Sequence, residues 1–146
     1  CIRDRVSDEP VILTDFYPTL LEVAGLEPRD DYPGDGESLL PFLKGGARPA
    51  RKAIYWHYPN FAFHKDNRLG SAIRMGDYKL IEFFDTDSVE LYNLKEDIGE
   101  KKDLAEKKPE LAAEMRKRLR AWRMESGAKM PRQRYRVRKR IWFDGV

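Results

Sequence analysis

The sequence holds a single cysteine, Cys1, which excludes an internal disulfide and any zinc site built on several cysteines. Compartment stays open on that count, because many secreted enzymes also lack disulfides. Histidine is almost as scarce. His57 and His64 stand seven residues apart across a loop, which is not a ligand spacing for a metal. No run approaches the roughly 18 apolar residues that a membrane helix needs, and none has a signal-peptide pattern. Internal repeats are missing. Acidic residues are missing too from Arg132, Arg134, Arg136, Arg138, Lys139 and Arg140, so this tail supplies the net charge of +3, while residues 1–131 sum to −2. Only the tail has the charge to draw in a polyanion.

What is present fits one compact domain of 146 residues. Hydrophobic residues at 41%, with 12% aromatic, supply a core, and 36% charged residues with a mean hydropathy of −0.71 match water-soluble domains. Residues 11–25 read as a short helix. Thr14 or Asp15 caps its free amide groups, and Phe16, Leu20, Leu21, Val23 and Ala24 form its apolar face. Pro18 falls early enough for its missing N–H to cost little, and Gly25 stops the helix. The run EPRDDYPGDG (27–36) is a loop, and an apolar turn at residues 38–43 is closed by Gly45 and Gly46.

The period then changes. KAIYWHY (52–58) is β-branched and aromatic, a strand stopped by Pro59. After a polar loop over residues 61–70, strands at 71–75 and 78–84 flank Gly76 and Asp77, the spacing of a tight hairpin. A fourth strand follows at 89–94, and connections this short predict antiparallel pairing. The last element is a helix over 109–126, with Leu111, Met115, Leu119 and Trp122 on one stripe and Gly127 and Pro131 beyond its end. The predicted class is α+β: a small antiparallel sheet of four strands, packed by a long C-terminal helix and preceded by another helix.

Six phrases stand in a telling order: TDFYPTLLEVAGL (14–26), DGESLLPFLKG (35–45), IYWHYPNF (54–61), SAIRMGDYKLIEFF (71–84), ELYNLKEDIGE (90–100) and the helix ending GAKMP (127–131). Together they resemble the C-terminal third of type I sulfatases, bacterial arylsulfatase-like enzymes above all, over residues 7–131. The resemblance implies a division of the chain. Residues 1–46 would close a large α/β domain of alkaline-phosphatase type, 47–131 would form the C-terminal subdomain, and 132–146 would be a basic aromatic tail. It implies a parent enzyme, periplasmic or extracellular, that hydrolyses sulfate esters with a formylglycine nucleophile and Ca2+. The partners implied are a sulfated small molecule or carbohydrate and the missing N-terminal catalytic domain; neither a membrane nor nucleic acid is expected. Family members carry the calcium ligands, the modified residue and the catalytic Lys and His upstream of TDFYPTLL. The expectation is therefore a chain inactive by itself, with no catalytic and no metal residue. Cys1 and Arg5 mimic the spacing of the formylglycine motif, but Arg3 occupies its Pro/Ala position, and Cys1 lies too near Thr14 for the family's order.

Candidate substrate-binding residues follow from the same resemblance. His57, at the end of the first subdomain strand, would face the pocket; the other reading is a hydrogen-bonded histidine among Tyr55, Trp56 and Tyr58. His64, Lys65, Asn67 and Arg68 offer polar and cationic groups for a pocket rim or belong to a solvated loop. Arg74 points to the same pocket or is an exposed sheet arginine. Asp97 and Glu100 read as turn and capping residues. Ile98 stands where the family has Pro, a departure that would loosen the turn. Met115 and Trp122 belong to the core. The tail is a C-terminal extension or, as an alternative function, a non-catalytic binding module for an anionic glycan or nucleic acid. An isolated chain of this kind is expected to self-associate through the apolar face of its first helix.

Overall fold

A computed structural model describes residues 6–27, 29, 31, 34–60 and 68–131. Cys1, the loop with His64, Lys65 and Asn67, and the basic tail lie outside the described residues. The chain divides into two compact units, Cys1–Lys52 and Ala53–Val146.

In the first unit a 3-10 turn, Leu13–Asp15, runs into helix α1, Phe16–Ala24, and a one-turn helix, α2, spans Leu40–Leu43. Gly25 ends α1 in the left-handed region at φ +68°, as a C-terminal glycine should. The expected cap is corrected: neither Thr14 nor Asp15 caps α1 through its side chain. The Asp15 carboxylate, fully buried, instead accepts from the amides of Ile12 (2.9 Å) and Glu37 (3.2 Å) and from both terminal nitrogens of Arg51. Arg51 also donates to the Pro10 carbonyl at 3.1 Å, and its own amide donates to Glu37 at 2.9 Å. Burial raises the Asp15 pKa, but the Arg51 fork and the two amides more than offset it, leaving the carboxyl below its ordinary value.

Thr19 extends the same network. Its hydroxyl donates to the Asp15 carbonyl at 2.6 Å and accepts from the Leu39 amide at 2.9 Å. Gly36 fits only because it lacks a Cβ, which would collide with the Thr14 carbonyl. The apolar face expected on α1 exists but is not covered. Phe16, Leu20 and Val23 are 51%, 63% and 60% exposed, and Leu13 and Leu26 join them.

The second unit is a four-stranded antiparallel meander in the order β1 (Ile54–Tyr58), β2 (Gly70–Met75), β3 (Tyr78–Phe83), β4 (Val89–Asn93). Helix α3, Pro109–Glu125, lies on one face. Gly76, at φ +57°, makes the two-residue turn of the β2–β3 hairpin. The core joins Ile73, Leu80 and Leu91 of the sheet to Ala112, Met115 and Leu119 of the helix, all buried. Trp122 packs against it half-buried, its ring stacked on Tyr55 at 4.8 Å between centroids. The α+β sheet and helix expected from the sequence are present.

The turn with Ile98 is held closed in spite of the missing proline. Asp97 accepts from the amides of Lys101 and Lys102, both at 2.8 Å, while Ile98 itself is exposed. Asp103 accepts from the Leu91 amide at 3.0 Å and so occupies the outer edge of β4. No helix among the described residues is long and apolar enough to cross a membrane.

Candidate functional site

Alternation along the strands gives the sheet two faces of different character. On the helix-covered face, Tyr55, Ile73, Leu80 and Leu91 form one cross-strand row, and His57, Ser71, Glu82 and Val89 the next. On the open face the rows are Tyr58, Gly70, Phe83, then Trp56, Ala72, Ile81, then Ile54, Arg74, Lys79.

The second helix-side row is polar because the C-terminal half of α3 brings arginines to it. Arg116, Arg120 and Arg123 recur at helical spacing and converge on Glu82, itself buried. Arg116 Nε and Arg120 Nη2 each donate to Glu82 Oε1 at 2.7 Å, and Arg123 Nη2 lies 2.6 Å from Oε2. Burial raises the Glu82 pKa, and the hydrogen bonds from Arg116 and Arg120, with the charge of Arg123 beside Oε2, reverse that, leaving it below the ordinary glutamate value. Arg116 and Arg120 also reach Asp87.

His57 belongs to this face. Its Nδ1 meets Ser71 Oγ at 2.7 Å, and its Nε2 lies 2.9 Å from the Lys129 carbonyl, which makes Nε2 the donor of that pair. Its ring leans on Phe84 at 5.8 Å rather than on the aromatic residues beside it in sequence. Both ring nitrogens are engaged.

Arg68 and Arg74 belong to the other face, where they line one open concavity of about 450 Å³ with Trp56, Tyr58, Ala72 and Phe83. Arg68 lies over the Phe83 ring at 3.6 Å and forms an ion pair with Asp85 at 3.0 Å, and this partner holds the Asp85 carboxyl below its usual range. Lys79 is held by both oxygens of Glu100, at 2.7 and 2.8 Å. Arg74 differs from both. Its Nε is buried without a hydrogen-bond partner, and no acid among the described residues pairs with it.

Arg68 and Arg74 thus line the same concavity, and His57 stands on the opposite face from them. Trp56, Tyr58 and Lys79 escaped the sequence reading as members of the site. The signal was available in the period of two, which puts Trp56 and Tyr58 on the same face as Arg74. Among the described residues no three of His, Cys, Asp and Glu gather into a metal-binding group.

The family model described as "N-sulphoglucosamine sulphohydrolase, C-terminal" matches residues 2–125. The chain belongs to this family of sulfatase C-terminal domains. A sulfatase of Formosa agariphila is 32% identical over 135 residues, covering 78% of this chain and 23% of that protein. An N-acetylglucosamine-6-O-sulfatase of Bacteroides thetaiotaomicron is 39% identical over 107 residues, 66% of this chain and 19% of the enzyme. Among solved structures, one in complex with its substrate D-glucosamine-2-N,6-O-disulfate matches with a TM-score of 0.66 and 32% identity, over 82% of this chain and 25% of that one. This sulfatase chain therefore spans about a quarter or less of the proteins it matches. The resemblance carried by the six phrases is borne out.

Proposed function

We propose that this chain is the C-terminal portion of a sulfatase that hydrolyses sulfate esters, and that it frames the substrate pocket while the upstream part of the parent performs the chemistry. The observation that carries this reading is the family match over residues 2–125 in a chain covering only 23% of a sulfatase relative. Residues 1–46 would close the large alkaline-phosphatase-like domain, 47–131 would be the subdomain, and 132–146 the tail. The uncovered apolar positions on α1 support the first assignment, since a helix face of this kind ordinarily rests on another element.

Ca2+ and the formylglycine nucleophile belong, on this proposal, to the upstream part. The described residues of this chain offer no donor set for such an ion, so no step of the hydrolysis is assigned to them. Their role is binding. Arg68, paired with Asp85, and Arg74, which no described acid claims, line one face and make it cationic enough to suit a sulfate group. His64 and Lys65, which lie outside the described residues, are proposed for the same rim. His57 would act on substrate only by releasing Ser71 or the Lys129 carbonyl, and as it stands it secures the end of β1. The substrate proposed is a sulfated carbohydrate, the class bound in the matching solved complex, and the parent is periplasmic or extracellular.

The test is the intact mass of the natural product, set against the 17.1 kDa of this chain, together with hydrolysis of an aryl sulfate. A product several times larger that cleaves the ester, beside an inactive 146-residue chain, is the expected result. A natural product of 17.1 kDa would overturn the proposal.

A further inference from the structure

The first unit contains a peptide bond that water alone can rearrange. Among the described residues, Asp35 is the one aspartate followed by a glycine, Gly36. Asp15, Asp31, Asp85, Asp87, Asp97 and Asp103 all have their carboxylates engaged by arginines or backbone amides. The Asp35 side chain is exposed and makes no hydrogen bond or ion pair among the described residues, and the Gly36 amide has no acceptor there. A carboxyl free to turn can reach the amide nitrogen of the next residue. Glycine leaves that nitrogen without a side chain to shield it.

The rearrangement balances without any other reagent. The Gly36 nitrogen bonds to Asp35 Cγ and gives up its proton, and the Cγ hydroxyl leaves with that proton as water, closing a succinimide ring. Water then reopens the ring on either side. Addition at Cγ breaks the new bond and restores aspartate. Addition at the former main-chain carbonyl breaks its bond to nitrogen instead. The product is isoaspartate, whose main chain runs through Cβ and Cγ and whose old carbonyl carbon has become a free carboxylate.

The residues just beyond have no slack to absorb the change. Gly36 is seated against the Thr14 carbonyl with no room for even a methyl group. Glu37 then ties three segments of the first unit together. Its amide donates to Asp15 Oδ1 at 3.2 Å, and its carboxylate accepts from the amides of Ala50 (2.6 Å) and Arg51 (2.9 Å). Isomerisation lengthens the main chain before this seat by one carbon–carbon bond, about 1.5 Å. It also adds a carboxylate two residues from the amide on which the buried Asp15 relies. We infer that Asp35 isomerises spontaneously and that isoaspartate there releases Glu37, so that the first unit carries a chemical clock set against its Asp15–Arg51 pair.

The experiment ages the folded 146-residue chain at neutral pH and maps isoaspartate by electron-transfer fragmentation of its peptides. Asp144–Gly145, in the same chain, is the internal reference for the chemistry. Isoaspartate should accumulate at Asp35 ahead of Asp8 and Asp77, which are followed by Glu9 and Tyr78. The modified fraction, separated by chromatography, should unfold at lower urea concentration, and its Ala50 and Arg51 amides should lose protection from exchange. D35E, whose longer side chain closes this ring poorly, should stay unmodified at that position and keep its urea midpoint on ageing. D35N should reach the same succinimide with loss of ammonia, and hydrolysis then gives a gain in mass visible in the intact chain. No isoaspartate at Asp35 would overturn the inference, and conversion of Asp144 in the same sample would show that the fold prevents it. A modified chain that keeps its urea midpoint would overturn it too, as would D35E losing stability on ageing as fast as the parent sequence.

Discussion

Asp15 and Arg51, thirty-six residues apart, meet in a two-pronged ion pair whose carboxylate has no exposure to solvent. The pair ties the start of α1 to the end of the first unit, and its geometry is complete: both carboxylate oxygens receive an Arg51 nitrogen and a backbone amide.

Removing one partner of such a pair leaves the other charge buried without compensation, which costs about 3–5 kcal/mol. Asp15→Asn should therefore lower stability by that order in urea unfolding followed by circular dichroism. Arg51→Lys keeps the charge but loses the fork, so a smaller loss is expected. Equal stability of Asp15→Asn and the parent sequence would show that the pair contributes nothing net.

The pH dependence follows from three lowered carboxyls, Asp15, Glu82 and Asp85. A folded pKa below the unfolded one gives stability that is fully present above the ordinary carboxylate value of about 4 and is lost as pH falls through the folded value. Acid unfolding should thus set in below about pH 4, with no such loss between neutrality and that point from these groups. Glu82→Gln should give a shallower acid limb and a lower stability at neutral pH. An acid limb unchanged in Glu82→Gln would count against the arginine cluster as its source.

Gly36→Ala should destabilise the first unit by about 1–3 kcal/mol, because the added methyl meets backbone and no flexible side chain can yield. Gly127→Ala offers a contrast. Nothing stands within 4 Å of its would-be Cβ, so only the φ of +62° opposes the change. Thermal unfolding of the two variants should rank Gly36→Ala as the less stable.

The exposed face of α1 predicts self-association of the isolated chain. Light scattering at increasing concentration should show species larger than 17.1 kDa, and a Phe16→Ser, Leu20→Ser double variant should shift the population toward monomer. A strictly monomeric chain at high concentration would refute this.

Period and punctuation made most of the second unit legible. Gly76 and Asp77 marked the hairpin, and Met115 and Leu119, with Leu111 and Trp122 partly buried beside them, marked the core-facing stripe of α3, because these features are local and repeat at fixed spacing. The Asp15 network was not legible. A carboxylate beside a helix start reads as a cap, and nothing local announces that Arg51 and the Glu37 amide will claim it. His57 shows the same limit. Its place on β1 was readable, but a partner seventy-two residues away, the Lys129 carbonyl, was not. Arg74 was singled out for its charge. Its special standing comes from Asp85 and Glu100 choosing Arg68 and Lys79 instead, which is a fact of pairing rather than of sequence.

The meander β1-β2-β3-β4 has a consequence for synthesis. Each strand pairs with the one made just before it, so the sheet can be laid down progressively as the chain emerges. Its cover cannot. Ile73, Leu80 and Leu91 must wait for residues 109–125 before their face is sealed, and during that interval the ribosome holds a half-built sheet with an oily side. Between completion of β4 and release of α3 the nascent sheet is at its most exposed to aggregation.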